Sequence, residues 1–227
     1  MTWNDAFLIA GPQDLADAIR RFGFVPFFRN RIPGFSLEEH IAPGLWFTDE
    51  PGPWEWKGPV IRETGCAYGK FFHGKAVYVS RELFPDFANL RRDGYDFDAR
   101  CDEGLTPLRE RQLFEAADAS APVLSYELKR LAGYGRGGKK GFDAVVTRLQ
   151  AQCYLLISDF IYQLDRNGRR YGWGVAEYST PEKRFGADFT DRVYAREPEA
   201  SLELLLERLK RCLPAADEAV LRRLLQS

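Results

Sequence analysis

The sequence is short of the residues that build most metal centres and acid–base catalytic sites. It has two histidines, His40 and His73, and four cysteines among 227 residues. The cysteines are widely separated, and none belongs to a CxxC or other metal-ligand spacing. They are Cys66, Cys101, Cys153 and Cys212. We therefore expect no metal, no cofactor and no histidine-dependent general base, with the cysteines reduced in a reducing compartment.

Long apolar runs are missing as well. No stretch approaches the roughly 18 apolar residues that a membrane span requires. The first residues, Met1 to Asp5, lack the positive region and the apolar run of a signal peptide. Hydrophobic residues nevertheless make up 45% of the chain, with no low-complexity tract or internal repeat. This composition is typical of a globular protein, and we expect a cytoplasmic one with no membrane partner.

The sequence also lacks a large net charge. The formal net charge is −1 and the isoelectric point is about 6.2. These values argue against a protein that coats nucleic acid indiscriminately, because such binding needs many phosphate contacts. The charge is uneven, however, since residues 125–172 contain nine basic and four acidic side chains, a local net charge of +5. Positive charge is therefore concentrated in one segment of the chain.

That segment belongs to a succession of three helical patterns. Apolar residues follow helical spacing in residues 106–117, again in 123–131 and a third time in 142–150. Gly133 ends the second pattern. A basic, glycine-rich connection, residues 134–141, leads from there into the third pattern. We therefore expect three short helices before residue 151.

Two β-strand patterns follow the third helix. Residues 153–164 are rich in β-forming side chains, the turn Asp165-Arg166-Asn167-Gly168 comes next, and residues 171–178 read as a second strand. Three helices and a hairpin in this order make a winged helix-turn-helix. In that fold the third helix enters the major groove of DNA, while basic residues at its entry and at the wing tip contact phosphates.

The residues expected to contact double-stranded DNA lie on the basic connection, on the third helix and at the wing tip. They are Arg136, Lys139, Lys140, Thr147, Arg148, Arg166, Arg169 and Arg170. Winged helices also serve as protein-binding modules, and basic turns are often only solvated. A partner-binding role for the same surface is therefore the alternative.

The chain before residue 105 mixes helix and strand patterns. Residues 13–22 form an amphipathic helix with Gly23 as its stop, and residues 66–80 read as a hairpin. Between Gly44 and Pro59 the sequence contains three tryptophans and three prolines. We expect an irregular loop there, because proline disrupts helices and sheets.

The remaining segments complete the predicted organisation. Residues 93–104 are polar and acidic and are the expected linker, and residues 181–198 read as irregular. Two closing helices follow, at 199–213 and 215–225. The predicted fold is therefore α+β. It has an N-terminal mixed α/β region in residues 1–104, a winged helix-turn-helix domain in 105–180 and a C-terminal helical extension in 181–227.

The tryptophan-rich segment is the one candidate for a chemical site. Glu55 lies between two tryptophans and beside a lysine, and the next hairpin is expected to add a tyrosine and a second lysine. Aromatic surfaces hold an extruded base, and a carboxylate positions the water that attacks its sugar. Glu55 is thus the candidate catalytic residue; in the alternative, the tryptophans are core and Glu55 only pairs with a basic neighbour. The other residues of the candidate pocket are Trp54, Trp56, Lys57, Tyr68 and Lys70.

Several short runs together resemble one protein family. They are Trp54-Glu55-Trp56-Lys57, Tyr68-Gly69-Lys70, Lys75 to Pro85 and Tyr171-Gly172-Trp173-Gly174. With the winged-helix pattern between them, the chain from about Asp14 to Phe185 resembles the AlkZ-related family. These bacterial proteins are similar to the winged-helix AlkZ DNA glycosylases, which remove bulky alkylated bases and unhook interstrand crosslinks. The resemblance implies a DNA-associated fold and a role in DNA repair.

The resemblance also implies where a catalytic motif is expected. AlkZ-type glycosylases have Gln-x-Gln or Gln-x-Asp near the N-terminus, which positions the attacking water. Here Gln150-Ala151-Gln152, at the end of the third predicted helix, is such a pattern outside the expected N-terminal position, and we interpret it as a polar exit from that helix. The expected function is therefore a repair-associated, winged-helix DNA-binding protein, with glycosylase activity left open. The alternative is a non-enzymatic transcriptional regulator or partner-binding module.

Overall fold

The computed structural model describes residues 2–3, 7–47, 50–168 and 170–227, with only the backbone described at 43, 170 and 171. Helices and two small antiparallel sheets make up the chain, so the predicted α+β class is confirmed. Within the described ranges, no helix combines the length and apolar character that a membrane crossing needs.

The first sheet belongs to the N-terminal part of the chain. Its strand order is β1-β3-β2, with antiparallel pairing throughout. The predicted hairpin is confirmed: β2 pairs with β3, and Tyr68 lies opposite Tyr78. The strands are β1 (Phe24–Pro26), β2 (Ala67–Phe72) and β3 (Lys75–Val79). The helices around them are α1 (Pro12–Phe22), α2 (Leu37–His40), α3 (Pro53–Thr64), α4 (Phe84–Arg92) and α5 (Phe97–Asp102).

Helix α1 confirms the amphipathic helix predicted at 13–22. Leu15, Ile19 and Phe22 are buried on its inner face. Gly23 ends it with a φ of +83°, and a Cβ at that position would lie 2.3 Å from Leu83 Cδ1. Glycine therefore permits both the turn and the close approach of α1 to the segment before α4.

Helix α3 corrects the prediction of an irregular loop between Gly44 and Pro59. Pro53 occupies the first helical turn, where its missing N–H is tolerated. Pro59 lies inside the helix, exposed to solvent, and removes one intrahelical hydrogen bond. Trp56, Val60 and Ile61 are buried on the opposite side at helical spacing. Their burial offsets the lost bond, so tertiary packing overrides the local effect of proline.

A second sheet and three helices form the central part of the chain. The third predicted helix and the following hairpin are confirmed. The predicted start of the second helix is wrong, because Val123 and Leu124 form a short strand whose partners are Tyr178 and Glu177. The helices are α6 (Leu108–Ser120), α7 (Ser125–Leu131) and α8 (Phe142–Ala151). The strands are β4 (Val123–Leu124), β5 (Leu156–Leu164) and β6 (Arg170–Ser179), in the order β4-β6-β5.

The segment predicted as a linker and the segment predicted as irregular both contain helices. Residues 93–104 include α5, where Phe97 is buried and stacks on Phe114 at 3.5 Å between ring centroids. Residues 181–198 include α9 (Pro181–Phe185) and α10 (Ala187–Val193), because Phe189 and Val193 pack into the core. The two closing helices are confirmed as α11 (Pro198–Cys212) and α12 (Glu218–Leu225). Buried apolar residues from all parts of the chain form one connected cluster, and the domain boundaries stay predictions.

Candidate nucleic-acid interface

Helix α8 has a buried face and an outer face of different character. Phe142, Val145 and Leu149 are buried against the rest of the chain. On the outer face, the Arg148 guanidinium lies 2.5 Å from the carboxylate of Glu110, which is buried on α6. Arg148 therefore neutralises a buried acid of the neighbouring helix, and its charge is only partly available to an external ligand.

Lys139, on the connection before α8, is half-buried and hydrogen-bonded within the protein. Its Nζ donates to Gln112 Oε1 at 2.6 Å and to the Ala132 carbonyl at 3.1 Å. By contrast, Arg136 and Lys140 are exposed, and neither side chain has an ion-pair partner in the described part of the chain. Of the three basic residues predicted on this connection, Arg136 and Lys140 are thus the two that present free charge to solvent.

The tip of the β5–β6 hairpin adds further positive charge. Arg166 is exposed in the turn between the two strands. Arg169 lies outside the described residues, and for Arg170 only the backbone, at the start of β6, is described. The turn of the hairpin therefore presents at least one arginine to solvent.

Thr147 on α8 contacts the first sheet. The Lys70 ammonium on β2 lies 3.4 Å from Thr147 Oγ1. Gly74, in the turn between β2 and β3, is so close that a Cβ added there would lie 3.6 Å from Thr147 Cγ2. The outer side of α8 and the β2–β3 turn therefore form one continuous surface, and Lys70 belongs to this surface and not to the aromatic cluster in which it was predicted.

Gln150 connects the same two elements in the interior. It is fully buried, and its Oε1 accepts the backbone N–H of Lys70 at 2.9 Å. The interpretation of this glutamine as a polar exit from the helix is therefore wrong. Gln150 instead joins α8 to β2.

A basic cleft beside the β2–β3 turn is a feature that sequence reasoning missed. It encloses about 470 Å³ and has basic side chains together with an apolar floor. Partial burial, together with the neighbouring charges of Arg31, Arg91 and Lys75, lowers the pKa of His73. The only indication of this cleft in the sequence is the recurrence of basic residues near 29–31 and 70–75. The polar residues lining the cleft are Arg29, Asn30, Arg31, His73 and Lys75.

The candidate catalytic residue, Glu55, has a structural role at the start of α3. Its Oε2 accepts the Gly52 backbone N–H at 2.9 Å in a capping arrangement. Trp56 is buried, and its Nε1 donates to the Pro51 carbonyl at 2.8 Å. Tyr68 is also buried, and burial raises the pKa of its hydroxyl. Glu55, Trp56 and Tyr68 thus stabilise the helix and the core.

The two remaining residues of the predicted cluster, Trp54 and Lys57, line a cavity between α3 and the β5–β6 hairpin. The cavity encloses about 310 Å³ and is open to solvent. Lys57 Nζ lies 4.1 Å from the Phe160 ring centroid and 5.2 Å from that of Trp54. Burial lowers the pKa of Lys57 to about 8, although the charge of Glu55 partly opposes this. The complete lining is Phe47, Trp54, Lys57, Tyr162, Trp173 and Gly174.

Two of the four cysteines are unsuited to act as an alternative nucleophile. Cys66 and Cys153 are buried, and burial raises the pKa of each thiol to about 12. Neither thiol is therefore ionised near neutral pH. Because the thiolate is the nucleophile, both cysteines are expected to be unreactive. The described residues include no group of three His, Cys, Asp or Glu side chains placed to hold a metal ion.

The chain matches the model of a known protein family. No curated protein and no solved structure matches the chain. The model of the family described as AlkZ related matches residues 9–226, nearly the full length of the chain. The chain therefore belongs to the AlkZ-related family.

Proposed function

We propose that this chain is a winged-helix DNA-binding protein associated with DNA repair. The observation that supports the proposal is the arrangement of α6, α7 and α8 with the three-stranded sheet β4-β6-β5. A short strand between the first two helices, pairing with a C-terminal hairpin, is the arrangement of a winged helix. In such a domain α8 is the recognition helix and the β5–β6 hairpin is the wing.

The charges of the exposed residues fit a phosphate backbone. Arg136 and Lys140 at the entry to α8 and Arg166 on the hairpin are exposed on the same three-helix and hairpin unit. Arg169 and Arg170 belong to the same hairpin by sequence. Phosphate contacts from these side chains would position α8 against the duplex without specifying its sequence.

The N-terminal sheet extends this surface. Lys70 is next to Thr147 on α8, and the adjoining basic cleft presents Lys75, Arg29 and Arg31. A duplex seated on α8 would therefore meet positive charge on both sides of the recognition helix. This extension distinguishes the protein from a minimal winged-helix domain, which ends at its own wing.

A salt titration of binding to a fluorescent duplex tests the proposal. Undamaged and alkylated duplexes are compared between low and physiological salt, and log K is plotted against log salt. We expect salt-dependent binding, and a preference for the alkylated duplex supports the association with repair. Absence of binding at low salt would overturn the proposal in favour of a partner-binding module.

Three variants make this test residue-specific. Lys140→Gln and Arg136→Gln are each expected to reduce the salt slope by roughly one unit, because each removes one phosphate contact. Lys210→Gln is the matched control, since Lys210 lies on α11 and pairs with Glu218 at 2.6 Å. An equal change of slope in all three variants would contradict the assignment of the interface.

A further inference from the structure

The amine of Lys57 is in surroundings unusual for a lysine. Among the described residues no carboxylate lies within ion-pair distance of Nζ, which instead lies over the rings of Phe160 and Trp54. Glu55, the nearest acid in the sequence, directs its carboxylate to the backbone of Gly52. Lys57 nevertheless lines a solvent-open cavity of about 310 Å³, so a small molecule or group can reach the amine.

These surroundings favour the neutral amine. An ammonium removed from water without a carboxylate partner loses solvation that aromatic rings replace only in part. The neutral form has a nucleophilic lone pair, and its characteristic reaction in proteins is imine formation with a carbonyl compound. The cavity is therefore suited to an aldehyde or ketone.

We propose that Lys57 forms an imine with the aldehyde of an abasic deoxyribose in DNA. The inference rests on the proposed function, because the DNA-binding surface supplies this particular aldehyde. The β5–β6 hairpin carries Arg166 at its tip and contributes Trp173 and Tyr162 to the cavity wall. A duplex held by the hairpin is thus placed beside the opening of the cavity.

The reaction requires no additional reagent. The Nζ lone pair attacks C1′ of the ring-opened sugar, and the carbonyl π electrons move to oxygen. Proton transfer from nitrogen to oxygen gives a carbinolamine. This loses its hydroxyl group as water after taking up one proton from solvent, leaving a protonated C1′=N bond to Lys57. Amine, aldehyde and one proton thus give iminium and one water.

The rim of the cavity fits a nucleotide that lacks its base. Trp173 and Phe47 are both largely exposed, at 73% and 87% of their surface. Exposed aromatic side chains of this kind fill gaps in a base stack or stack on unpaired bases. The missing base leaves such a gap and also makes the sugar easier to rotate out of the helix. Trp173 and Phe47 would therefore hold the sugar with its C1′ towards Lys57.

Borohydride trapping on the full-length protein tests the inference. The probe is a labelled duplex with one abasic site, and reduction converts the imine into a stable amine that crosslinks protein to DNA. We expect a crosslink that maps by mass spectrometry to Lys57 and is lost in Lys57→Met. Lys210→Arg is the control and should crosslink as the wild type does. Because peptide mapping uses the wild-type chain, the test does not depend on how well the Lys57 variant folds.

The outcomes separate this inference from the proposed function. Binding of the abasic duplex without a crosslink, or a crosslink spread over many lysines, overturns the role of Lys57 and leaves DNA binding intact. If no duplex binds, the proposed function fails, and 2-deoxyribose 5-phosphate with cyanoborohydride becomes the probe at pH 7. Modification of Lys57 at least about tenfold faster than of Lys210 then supports the imine site, because the neutral fraction sets the rate. Equal modification overturns it.

Discussion

Gln150 and Gln152 are two residues apart in the sequence and have different surroundings. Gln150 is fully buried and accepts the Lys70 backbone N–H at 2.9 Å, whereas Gln152 is half-buried at the end of α8. A Gln-x-Gln pattern on a helix end gives no indication of which glutamine points inward, because that depends on the neighbouring strand. The buried position of Gln150 could therefore not be predicted from its spacing.

Alanine substitutions at Gln150 and at Gln152 are therefore expected to change the stability of the protein by different amounts. Gln150→Ala leaves the Lys70 N–H without its acceptor and should lower the free energy of unfolding by about 1–3 kcal/mol. Gln152→Ala should change it by less than about 0.5 kcal/mol, as at most partly exposed positions. Urea denaturation of both variants measures the difference. Equal losses would contradict a specific role for the bond to Lys70.

The lowered pKa of Lys57 has a consequence for stability against pH. The pKa is 10.5 in the unfolded chain and about 8 in the folded one, so the unfolded state holds more protons between these values. Stability contributed by this residue therefore rises with pH from about 8 to 10.5. The groups facing the amine are Glu55, whose charge favours the ammonium, and the aromatic side chains of Trp54, Phe160 and Tyr162.

Lys57→Met is expected to remove this pH dependence. At pH 7 the variant should be more stable than the wild type by about 1–2 kcal/mol, a value reduced for the partial exposure of the amine. This advantage should shrink towards pH 10, as measured by chemical denaturation at both pH values. The control is Lys210→Met, which removes an exposed lysine that pairs with Glu218 and lies outside the cavity. An unchanged advantage at pH 10 for Lys57→Met would exclude the lowered pKa as its cause.

Helix α3 has helical spacing in its sequence, but its proline and tryptophan content led to the prediction of a loop. The buried residues Pro53, Trp56, Val60 and Ile61 follow helical spacing, and Gly65 ends the helix in the left-handed region. The high density of proline and tryptophan nevertheless favoured a loop. Proline disrupts a helix only where the lost hydrogen bond is not offset, and the packing that offsets it at Pro59 is not visible in local composition.

Other elements were predictable because their signals are local. Helices α1 and α8 have clear apolar stripes, and both hairpins have turn residues between β-forming runs. Strand β4 was missed because it has two residues and exists only through its pairing with β6. The same distinction explains which residues of the candidate site could be predicted from the sequence. Trp54 and Lys57 were recognised from their composition, whereas the contribution of Tyr162 to the cavity depends on the position of the hairpin.

The start of α3 permits a direct test of the role of Glu55. Its carboxylate accepts the Gly52 N–H, so Glu55→Ala should lower the free energy of unfolding by about 1 kcal/mol. Glu55→Gln retains an acceptor oxygen and should lose less than half of that. Thermal or urea denaturation of both variants provides the comparison. If the two lose the same amount, the negative charge of Glu55 and not its hydrogen bond stabilises the helix.

At the scale of the whole molecule, Arg92 joins parts of the chain that are far apart in sequence. It is fully buried at the end of α4, and its guanidinium bonds Glu182 Oε1 at 2.7 Å, Tyr194 Oη at 2.8 Å and the Cys153 carbonyl at 2.8 Å. Burial alone would lower its pKa, but Glu182 and Tyr194 raise the pKa above its ordinary value. Arg92 thus remains charged and connects the first sheet region, α8 and the C-terminal helices.

Removing this cation is expected to destabilise the whole chain. Arg92→Met leaves Glu182 without its partner and the Cys153 carbonyl without its donor, and should cost about 3–5 kcal/mol. Arg62→Met is the matched control, because Arg62 also links the N-terminal part to the hairpin through Asp159, at 2.5 Å, but is half exposed. It should cost about 1 kcal/mol or less. Calorimetry measures both losses.

The form of the unfolding transition completes this test. Because the buried apolar residues form one connected cluster, Arg92→Met should lower the melting temperature while keeping a single cooperative transition. If the variant instead unfolds in two steps, the N-terminal region and the remainder are independent units that Arg92 holds together. That result would favour the predicted boundary near residue 104. A single transition, seen alike by calorimetry and by tryptophan fluorescence, would show that the surface around α8 and the first sheet folds as one structure.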